Sequence, residues 1–310
     1  MSLKISSRFF LLNMVLLVLF VFPLTACSST GSQSPDSVET PKYIPVDLPA
    51  ELTFAGEKVP LEYYDVRENL DREMLSTAYF HSQTIRYLMN APRFFPVIEP
   101  ILKSYGIPDD FKYLCVAESG LDVRAVSPAN AVGLWQILEA TAKENGLEIN
   151  DEVDERYHVV KSTEAACRIL KSAYTKFGSW SLVAASYNGG RTFVVRQINN
   201  QKVDSYYDLL FGDETSRYIF RILSFKLVME SPEKYGFRIK KERLYPVVET
   251  KTIEISGPVK DWADFAIEKG INYKILKMFN PWLRETYLKN PNNKTYTLRI
   301  PVEGFRTKTN

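Results

Sequence analysis

The segment 118-ESGLDVRAVSPANAVGLWQI-137 decides how this chain is interpreted. Glu118 stands at the end of an apolar stretch with helical spacing, and the residues after it are mostly small until Gly133 and Trp135. A carboxylate at the end of a helix feels the negative end of the helix dipole and is partly screened from water by apolar neighbours. Both effects raise its pKa. A carboxylic acid still protonated near neutrality can donate a proton to a glycosidic oxygen. A solvated glutamate without a role is the alternative that this pattern leaves open.

Three further motifs follow Glu118-Ser119 along the chain. They are Gly133-Leu134-Trp135-Gln136, Ser186-Tyr187-Asn188-Gly189-Gly190 and Glu214-Thr215-x-x-Tyr218. In this order, the motifs resemble those of the lytic transglycosylases of glycoside hydrolase family 23, which carry a lysozyme-like soluble-lytic-transglycosylase domain. The resemblance covers roughly residues 60–235, and within the family the chain is most similar to membrane-bound members.

The resemblance implies that Glu118 is the single catalytic acid/base. It implies no cofactor, and peptidoglycan glycan strands as the substrate. Trp135 belongs to the motifs, but we interpret it as a core residue rather than a platform for sugar. The side chains implied to line the sugar-binding groove are Ser127, Gln136, Tyr187 and Asn188, and Tyr218 is implied to orient the glutamate.

One carboxylate suffices in the reaction that the resemblance implies, whereas most glycosidases use two. Glu118 would protonate the bond between N-acetylmuramic acid and N-acetylglucosamine, while the muramyl acetamido group stabilises the developing cation. The ionised carboxylate would then take the proton of the sugar's own 6-hydroxyl, which attacks the anomeric carbon and forms a 1,6-anhydromuramyl end. Intramolecular attack benefits from a high effective molarity.

Two other functions stay open at this point. A goose-type lysozyme is similar in fold but hydrolyses the bond, and Asp122 is the nearest carboxylate in sequence that could activate water. The second alternative is a catalytically idle lipoprotein that only binds peptidoglycan. The chain also departs from the family pattern in the groove, for example with Asn130 where a glycine is usual.

The N-terminus predicts a lipoprotein signal peptide over residues 1–26. Lys4 and Arg8 precede an apolar run of about 14 residues, which is shorter than a membrane span of about 20. The sequence Leu24-Thr25-Ala26-Cys27 resembles a lipobox, so we expect Cys27 to be lipidated and to anchor the chain in the membrane. Ser28 rather than an aspartate follows it, which favours the outer membrane over the inner membrane. We expect the protein to face the periplasm, and the face of the outer membrane stays open at this point. An ordinary signal peptide with an incidental cysteine is the alternative.

Composition excludes several other classes of protein. Without Lys4 and Arg8, basic and acidic residues are equal in number at 37, so no excess of positive charge favours nucleic acid. The chain has 2 histidines, and they do not show the spacing of metal ligands. The acidic residues at 151–155 lack the spacing and the glycine of a calcium loop. We expect Cys115 and Cys167 to be buried free thiols, although a disulfide between them stays open.

The pattern along the chain predicts a mainly α fold with a small α+β domain at the C-terminus. Apolar residues at helical spacing run from about residue 66 to 240, and Ser162 is the expected N-cap of one of these helices. After them the order is strand, helix, helix, strand, over residues 247–255, 258–269, 272–279 and 296–300.

This small domain resembles a degenerate LysM module, for which glycan binding and a purely structural role are both open. The predicted organisation is a signal peptide (1–26), a flexible tether (27–60), an N-terminal helical extension (61–105), a lysozyme-like transglycosylase domain (106–243) and a LysM-like domain (244–310).

Overall fold

Helices make up most of residues 45–306, the part of the chain that the computed structural model describes. The predicted signal peptide and Cys27 lie outside the described residues. Among residues 45–306, no helix combines the length and the hydropathy that crossing a membrane would require.

A short hairpin and eight helices form the larger part of the fold. The hairpin consists of β1 (Thr53–Phe54) and β2 (Glu57–Lys58). The helices are α1 (Tyr64–Tyr79), α2 (His81–Tyr105), α3 (Phe111–Ser119), α4 (Glu139–Glu144), α5 (Val159–Phe177), α6 (Trp180–Gly189), α7 (Arg191–Gln201) and α8 (Asp213–Glu230). The prediction of a mainly α fold is confirmed.

Helix α3 lies inside the helical core. Its Leu114, Cys115 and Val116 are buried, because helix α8 packs against it. Helix α8 also packs against α1 and α6, and α5 packs against α2 and α6. The C-terminal end of α3, with Glu118, is therefore held among helices that come from distant parts of the sequence. Cys115 and Cys167 are buried free thiols, as predicted.

The hairpin of β1 and β2 corrects the prediction of a flexible tether up to residue 60. Phe54 is 0% exposed, and its ring centroid lies 5.3 Å from that of Phe111 in α3. The backbone N–H of Ala55 donates a hydrogen bond to Asp110 Oδ2 at 2.7 Å, and a Glu57 carboxylate oxygen accepts one from the N–H of Ser181 at 2.9 Å. The tether prediction is therefore wrong for residues 52–59, which pack onto the helical core.

The start of helix α5 differs from the prediction by several residues. Its N-cap is His158, whose Nδ1 accepts a hydrogen bond from the N–H of Lys161 at 3.3 Å. Ser162 lies inside the helix and is buried, so the prediction of Ser162 as the cap is wrong. Sequence alone favours serine because histidine is an uncommon N-cap residue.

The C-terminal residues form the predicted strand, helix, helix and strand. These are β3 (Thr250–Ile255), α9 (Trp262–Glu268), α10 (Tyr273–Phe279) and β4 (Tyr296–Pro301). The two strands are antiparallel, with Ile253 opposite Leu298. Side chains of Asp261 and Asn272 cap the two helices.

The C-terminal unit packs directly against the helical part. Val153 and Leu283 form a β-bridge, and the N–H of Asp154 donates to the carbonyl of Trp282 at 2.9 Å. An apolar cluster is shared by both parts and includes Val132, Val153, Tyr157, Trp262, Trp282, Leu283 and Leu298. The domain boundaries at 105/106 and 243/244 stay predictions.

Candidate active site

Glu118 lies in the last turn of helix α3. The helix ends at Gly120, which adopts a left-handed backbone with φ +61°. A Cβ at Gly120 would come within 2.4 Å of the ring of Tyr87, so the glycine permits both the turn and the close packing of α2. This turn directs the chain away from the helix immediately after the glutamate.

The carboxyl group of Glu118 is bonded to helix α8. The hydroxyl of Tyr218, which is 2% exposed, donates a hydrogen bond to Glu118 Oε1. Burial raises the pKa of Glu118 to about 7, and the negative charge of Glu214 adds to this rise. The hydrogen bond from Tyr218 and the positive charge of Arg221 act in the opposite direction. Near neutral pH this carboxyl group can both donate and accept a proton.

A network of ion pairs lies on helix α8 beside Tyr218. Arg221 Nη1 lies 2.8 Å from Glu214 Oε1, and Arg217 Nε lies 2.6 Å from an oxygen of Glu73 in α1. Glu73 is 2% exposed, and its second oxygen lies 3.7 Å from Arg221 Nε. Glu73 is not among the residues that the sequence predicts for the site. Its position does indicate burial, since Glu73 lies on the same face of α1 as the apolar Leu70.

The loop between α3 and α4 folds back on itself by short bridges. Val132 pairs with Val126 on one side and with Ile137 on the other. Ser127 lies inside this turn, where its hydroxyl accepts a hydrogen bond from the N–H of Ala131 at 3.1 Å. Asn130, which stands where the family usually has glycine, has φ +59°. Asparagine tolerates this left-handed conformation better than most residues, so the substitution keeps the turn.

Gly133 and Gln136 hold the end of the same loop. A Cβ at Gly133, whose φ is +80°, would lie 2.2 Å from the carbonyl oxygen of Arg156. Gln136 has φ +47°, which is an uncommon conformation for this residue type. Its side-chain amide donates to the carbonyls of Ala125 at 3.1 Å and Gly133 at 2.9 Å. Gln136 thereby holds two parts of the loop together.

Trp135 is a core residue, as predicted. It is 0% exposed, and its indole N–H donates to Thr163 Oγ1 at 2.9 Å. The hydroxyl of Tyr187 donates to the backbone carbonyl of Trp135 at 2.7 Å, which ties helix α6 to the loop. Burial raises the pKa of Tyr187, and the charge of Glu118 raises it further. Tyr187 is therefore electrostatically coupled to the glutamate.

Asn188 is joined to the third motif. Its side-chain oxygen accepts a hydrogen bond from Thr215 Oγ1 at 2.9 Å. Tyr218 thus contacts the Glu118 carboxyl group directly, and Tyr187 lies near enough for the charge of Glu118 to raise its pKa. Asn188 is linked to the same helix as Tyr218, while Ser127 and Gln136 lie in the loop that follows the glutamate. Their roles toward a sugar stay predictions.

Asp122, the carboxylate considered for a hydrolytic mechanism, is exposed, and its Oδ1 accepts a hydrogen bond from the N–H of Arg124 at 2.9 Å. The charges that act on the pKa of Glu118 are those of Glu214 and Arg221. Within residues 45–306, no group of three or more His, Cys, Asp and Glu side chains could hold a metal ion.

Two family models match the chain. Residues 96–209 match the transglycosylase SLT domain, and residues 251–304 match the soluble lytic transglycosylase C-terminal LysM-like domain. These matches confirm the resemblance that the four motifs and the C-terminal pattern indicate. The chain is therefore similar to an SLT domain over residues 96–209 and to a LysM-like domain over residues 251–304.

The chain is also similar to curated proteins and to a solved structure. The chain is 28% identical over 247 residues to the membrane-bound lytic murein transglycosylase D of Escherichia coli strain K12, covering 76% of this chain and 52% of that protein. The protein of the same name from E. coli O6:H1 gives the same values. A solved structure, the lytic transglycosylase Slt of Pseudomonas aeruginosa, aligns with a TM-score of 0.40 at 18% identity, over 49% of this chain and 26% of that one. The chain spans about half the length of the curated relatives it matches.

Proposed function

We propose that this chain is a peptidoglycan lytic transglycosylase and that Glu118 is its catalytic acid/base. The observation that carries the proposal is the environment of Glu118. Its side chain is half-buried, accepts a hydrogen bond from Tyr218 and has a pKa that burial raises to about 7. The match of residues 96–209 to the SLT domain and the similarity to two murein transglycosylases support the same reaction.

In the first step, protonated Glu118 donates its proton to the oxygen that links N-acetylmuramic acid to N-acetylglucosamine. The bond from that oxygen to the muramyl anomeric carbon breaks, and the N-acetylglucosamine product leaves with a new hydroxyl group. A group with a pKa near the ambient pH suits this transfer, since it is protonated before the step and acidic enough to give the proton up. The muramyl acetamido oxygen stabilises the positive charge at the anomeric carbon.

In the second step, the same carboxylate accepts the proton of the muramyl 6-hydroxyl. The hydroxyl oxygen attacks the anomeric carbon and closes the 1,6-anhydro ring, so Glu118 ends the cycle protonated and no water is consumed. Tyr218 acts as a positioning residue, because its hydrogen bond restricts the rotation of the carboxyl group between the two steps.

The residues proposed to line the sugar-binding groove keep donor or acceptor atoms that can bind a sugar, in addition to the hydrogen bonds they make within the protein. The amide N–H groups of Gln136 are used by the loop, so its side-chain oxygen is the free acceptor. Asn188 uses its oxygen toward Thr215, so its NH₂ group is the free donor. Tyr187 donates to Trp135 and keeps oxygen lone pairs that can accept a hydrogen bond. Ser127 completes the proposed set.

We also propose that the protein acts in the cell envelope, attached to the outer membrane through a lipidated Cys27 and facing the periplasm. The lipobox-like sequence before Cys27 supports this attachment, and two relatives are named membrane-bound enzymes. The test is Cys27→Ala, which should leave an unprocessed or soluble precursor. A variant that still takes up fatty acid and fractionates with the outer membrane would contradict the assignment.

Analysis of the released products tests the reaction itself. Purified protein is incubated with sacculi, and the muropeptides are identified by mass spectrometry. The proposal predicts 1,6-anhydromuramyl ends, 18 mass units lighter than the hydrolysis products because no water is added. Reducing ends would identify a lysozyme-like hydrolase, and an absence of soluble fragments would identify a protein that only binds peptidoglycan.

A further inference from the structure

A cavity of about 390 Å³ lies where helix α2, the residues after Glu118 and the C-terminal unit meet. Four arginines line it. Arg86 and Arg93 come from α2, Arg124 from the loop after α3, and Arg299 from β4. Asp122 is the one acidic residue in the lining, and the remaining surface is largely apolar.

These arginines lack carboxylate partners within residues 45–306. Arg299 is half-buried, and its Nε donates to Thr250 Oγ1 at 3.1 Å. Arg93 stacks on the ring of Tyr245 at 5.3 Å and contacts the carbonyl of Pro246 at 3.4 Å. Arg86 and Arg124 are exposed and make no ion pair with the described chain. Elsewhere in the same structure, arginines such as Arg156, Arg217 and Arg221 do have acidic partners.

Such a cavity suits an anionic ligand. Guanidinium groups bind carboxylates with two parallel hydrogen bonds, and a partly apolar surrounding strengthens this attraction because it keeps water away. Burial lowers the pKa of Arg299, which reflects the cost of holding its charge away from water without a counter-ion. A ligand carboxylate would remove that cost.

The position of the cavity relative to Glu118 limits what can reach it. Asp122 follows Glu118 by four residues, and an extended chain of that length spans at most about 14 Å. A tetrapeptide has a similar reach. A peptide attached to a muramyl sugar at Glu118 therefore has the length needed to reach the residues that line the cavity.

We propose that this cavity binds the acidic peptide carried by the muramyl residue of the substrate, with its free carboxylates against the four arginines. Asp122 is available for an amino group of the same peptide. The inference rests on the proposed function, since it assumes that peptidoglycan lies at Glu118. It adds a preference for glycan whose peptides retain free carboxylates over glycan whose peptides are amidated.

The test compares two ligands on one protein. Glu118→Gln serves as the background, so that the ligands stay intact during calorimetric titration. The first ligand is a peptidoglycan tetrasaccharide with tetrapeptides bearing free carboxylates, and the second is the same molecule with those carboxylates converted to amides. We expect the first to bind about tenfold more tightly, because each arginine–carboxylate pair is charge-assisted. The preference should decrease as salt is raised.

Two charge-matched variants locate the effect. Arg86→Gln with Arg124→Gln removes two exposed arginines of the cavity, and the preference should fall to less than threefold. Arg67→Gln with Arg238→Gln removes two exposed arginines elsewhere and should leave the preference unchanged. Thermal melting of both variants checks that the fold is kept.

The outcomes separate the two proposals. Equal binding of both ligands, or an equal preference in both double variants, would overturn the peptide site and leave the proposed function intact. Failure of both ligands to bind at all would overturn both proposals, because the assumed substrate would then be wrong.

Discussion

At the scale of single residues, the proton chemistry depends on how burial and neighbouring charges act on Glu118. Glu118→Gln keeps the shape and the ability to accept from Tyr218 but cannot transfer a proton. General acid–base catalysis contributes about 10²–10⁴ in rate, so release of anhydromuramyl products should fall at least that far. Glu233→Gln, at an exposed position beyond the end of helix α8, is the control and should keep full activity. An enzyme with glutamine at position 118 and near wild-type activity would contradict the mechanism.

The same substitution should change stability in a way that depends on pH. The pKa of Glu118 is raised in the folded state to about 7 from an ordinary value of 4.5. The folded state therefore holds a proton that the unfolded state has lost between these values, and stability falls as pH rises from about 4.5 through 7. Above pH 7 the wild type is destabilised by up to about 3 kcal/mol, whereas glutamine carries no such cost. Melting curves should show equal stability near pH 4 and a more stable Glu118→Gln at pH 8. A difference that does not vary with pH would contradict the raised pKa.

The neighbours of Glu118 should move the pH profile of the reaction in opposite directions. The first step needs the protonated acid, so kcat/KM should decline above about pH 7. Glu214→Gln removes a charge that raises the pKa of Glu118, and the decline should begin at lower pH. Arg221→Gln removes a charge that lowers it, and the decline should begin at higher pH. Shifts in the same direction for both variants would indicate a structural effect instead.

At the scale of elements, the loop after α3 depends on a glycine that no other residue can replace. A Cβ at Gly133 would lie 2.2 Å from the backbone oxygen of Arg156, which cannot rotate away. Gly133→Ala should therefore lower the free energy of unfolding by several kcal/mol and reduce activity, since the loop that holds Gln136 must shift. Gly146→Ala is the matched control, with φ +78° and no atom within 4 Å of the added Cβ. Gly146→Ala should lower the free energy of unfolding by only about 1–2 kcal/mol, which is the strain of a left-handed backbone at alanine. Equal losses in urea unfolding would show that the close contact is unimportant.

The elements also show what could be predicted from sequence and what could not. Helical spacing and the strand–helix–helix–strand order are local patterns, and both were predicted. The family resemblance implied that Tyr218 orients Glu118, and the two side chains are hydrogen-bonded across a separation of 100 residues. The hairpin at residues 53–58 was missed because its two strands are too short to show an alternating pattern. Its packing depends on contacts with Phe111 and Ser181, which lie far along the chain. The cap at His158 was missed because N-cap preferences point to serine, whereas here the Nδ1 atom of a histidine accepts the hydrogen bond from the first turn.

At the scale of the whole molecule, the contact between the helical part and the C-terminal unit could not be predicted from local sequence patterns either. On the helical side it is made by Val132 and Val153, which lie in loops, and by Tyr157, which ends a short 3-10 helix. Polar groups add to it, since Lys294 pairs with Glu148, and the hydroxyl of Tyr296 donates to Glu148 Oε1 at 2.8 Å. A LysM-like unit held in this way has a fixed orientation to the helical part. Glycan bound to it would therefore lie in a defined direction relative to Glu118.

This shared apolar cluster predicts that the two parts unfold together. Trp282 is 3% exposed and lies in the cluster, where it stacks on Tyr296 at 5.7 Å. Trp282→Ala should lower the free energy of unfolding by about 3–5 kcal/mol. The melting temperature of the helical part should fall together with that of the C-terminal unit. Ile267→Ala, at a side chain 70% exposed on α9, is the control and should leave the melting curve nearly unchanged.

Calorimetry distinguishes this prediction from independent domains. One transition that moves as a whole in Trp282→Ala would mean that the C-terminal unit stabilises the catalytic part. Deleting everything after residue 240 should then expose Val153 and Tyr157 and promote aggregation. Two transitions, of which only one moves, would mean that the interface contributes little. In that case the deletion should retain the anhydromuramyl-forming activity on soluble fragments, and any loss of binding to sacculi could be assigned to glycan recognition by the LysM-like domain.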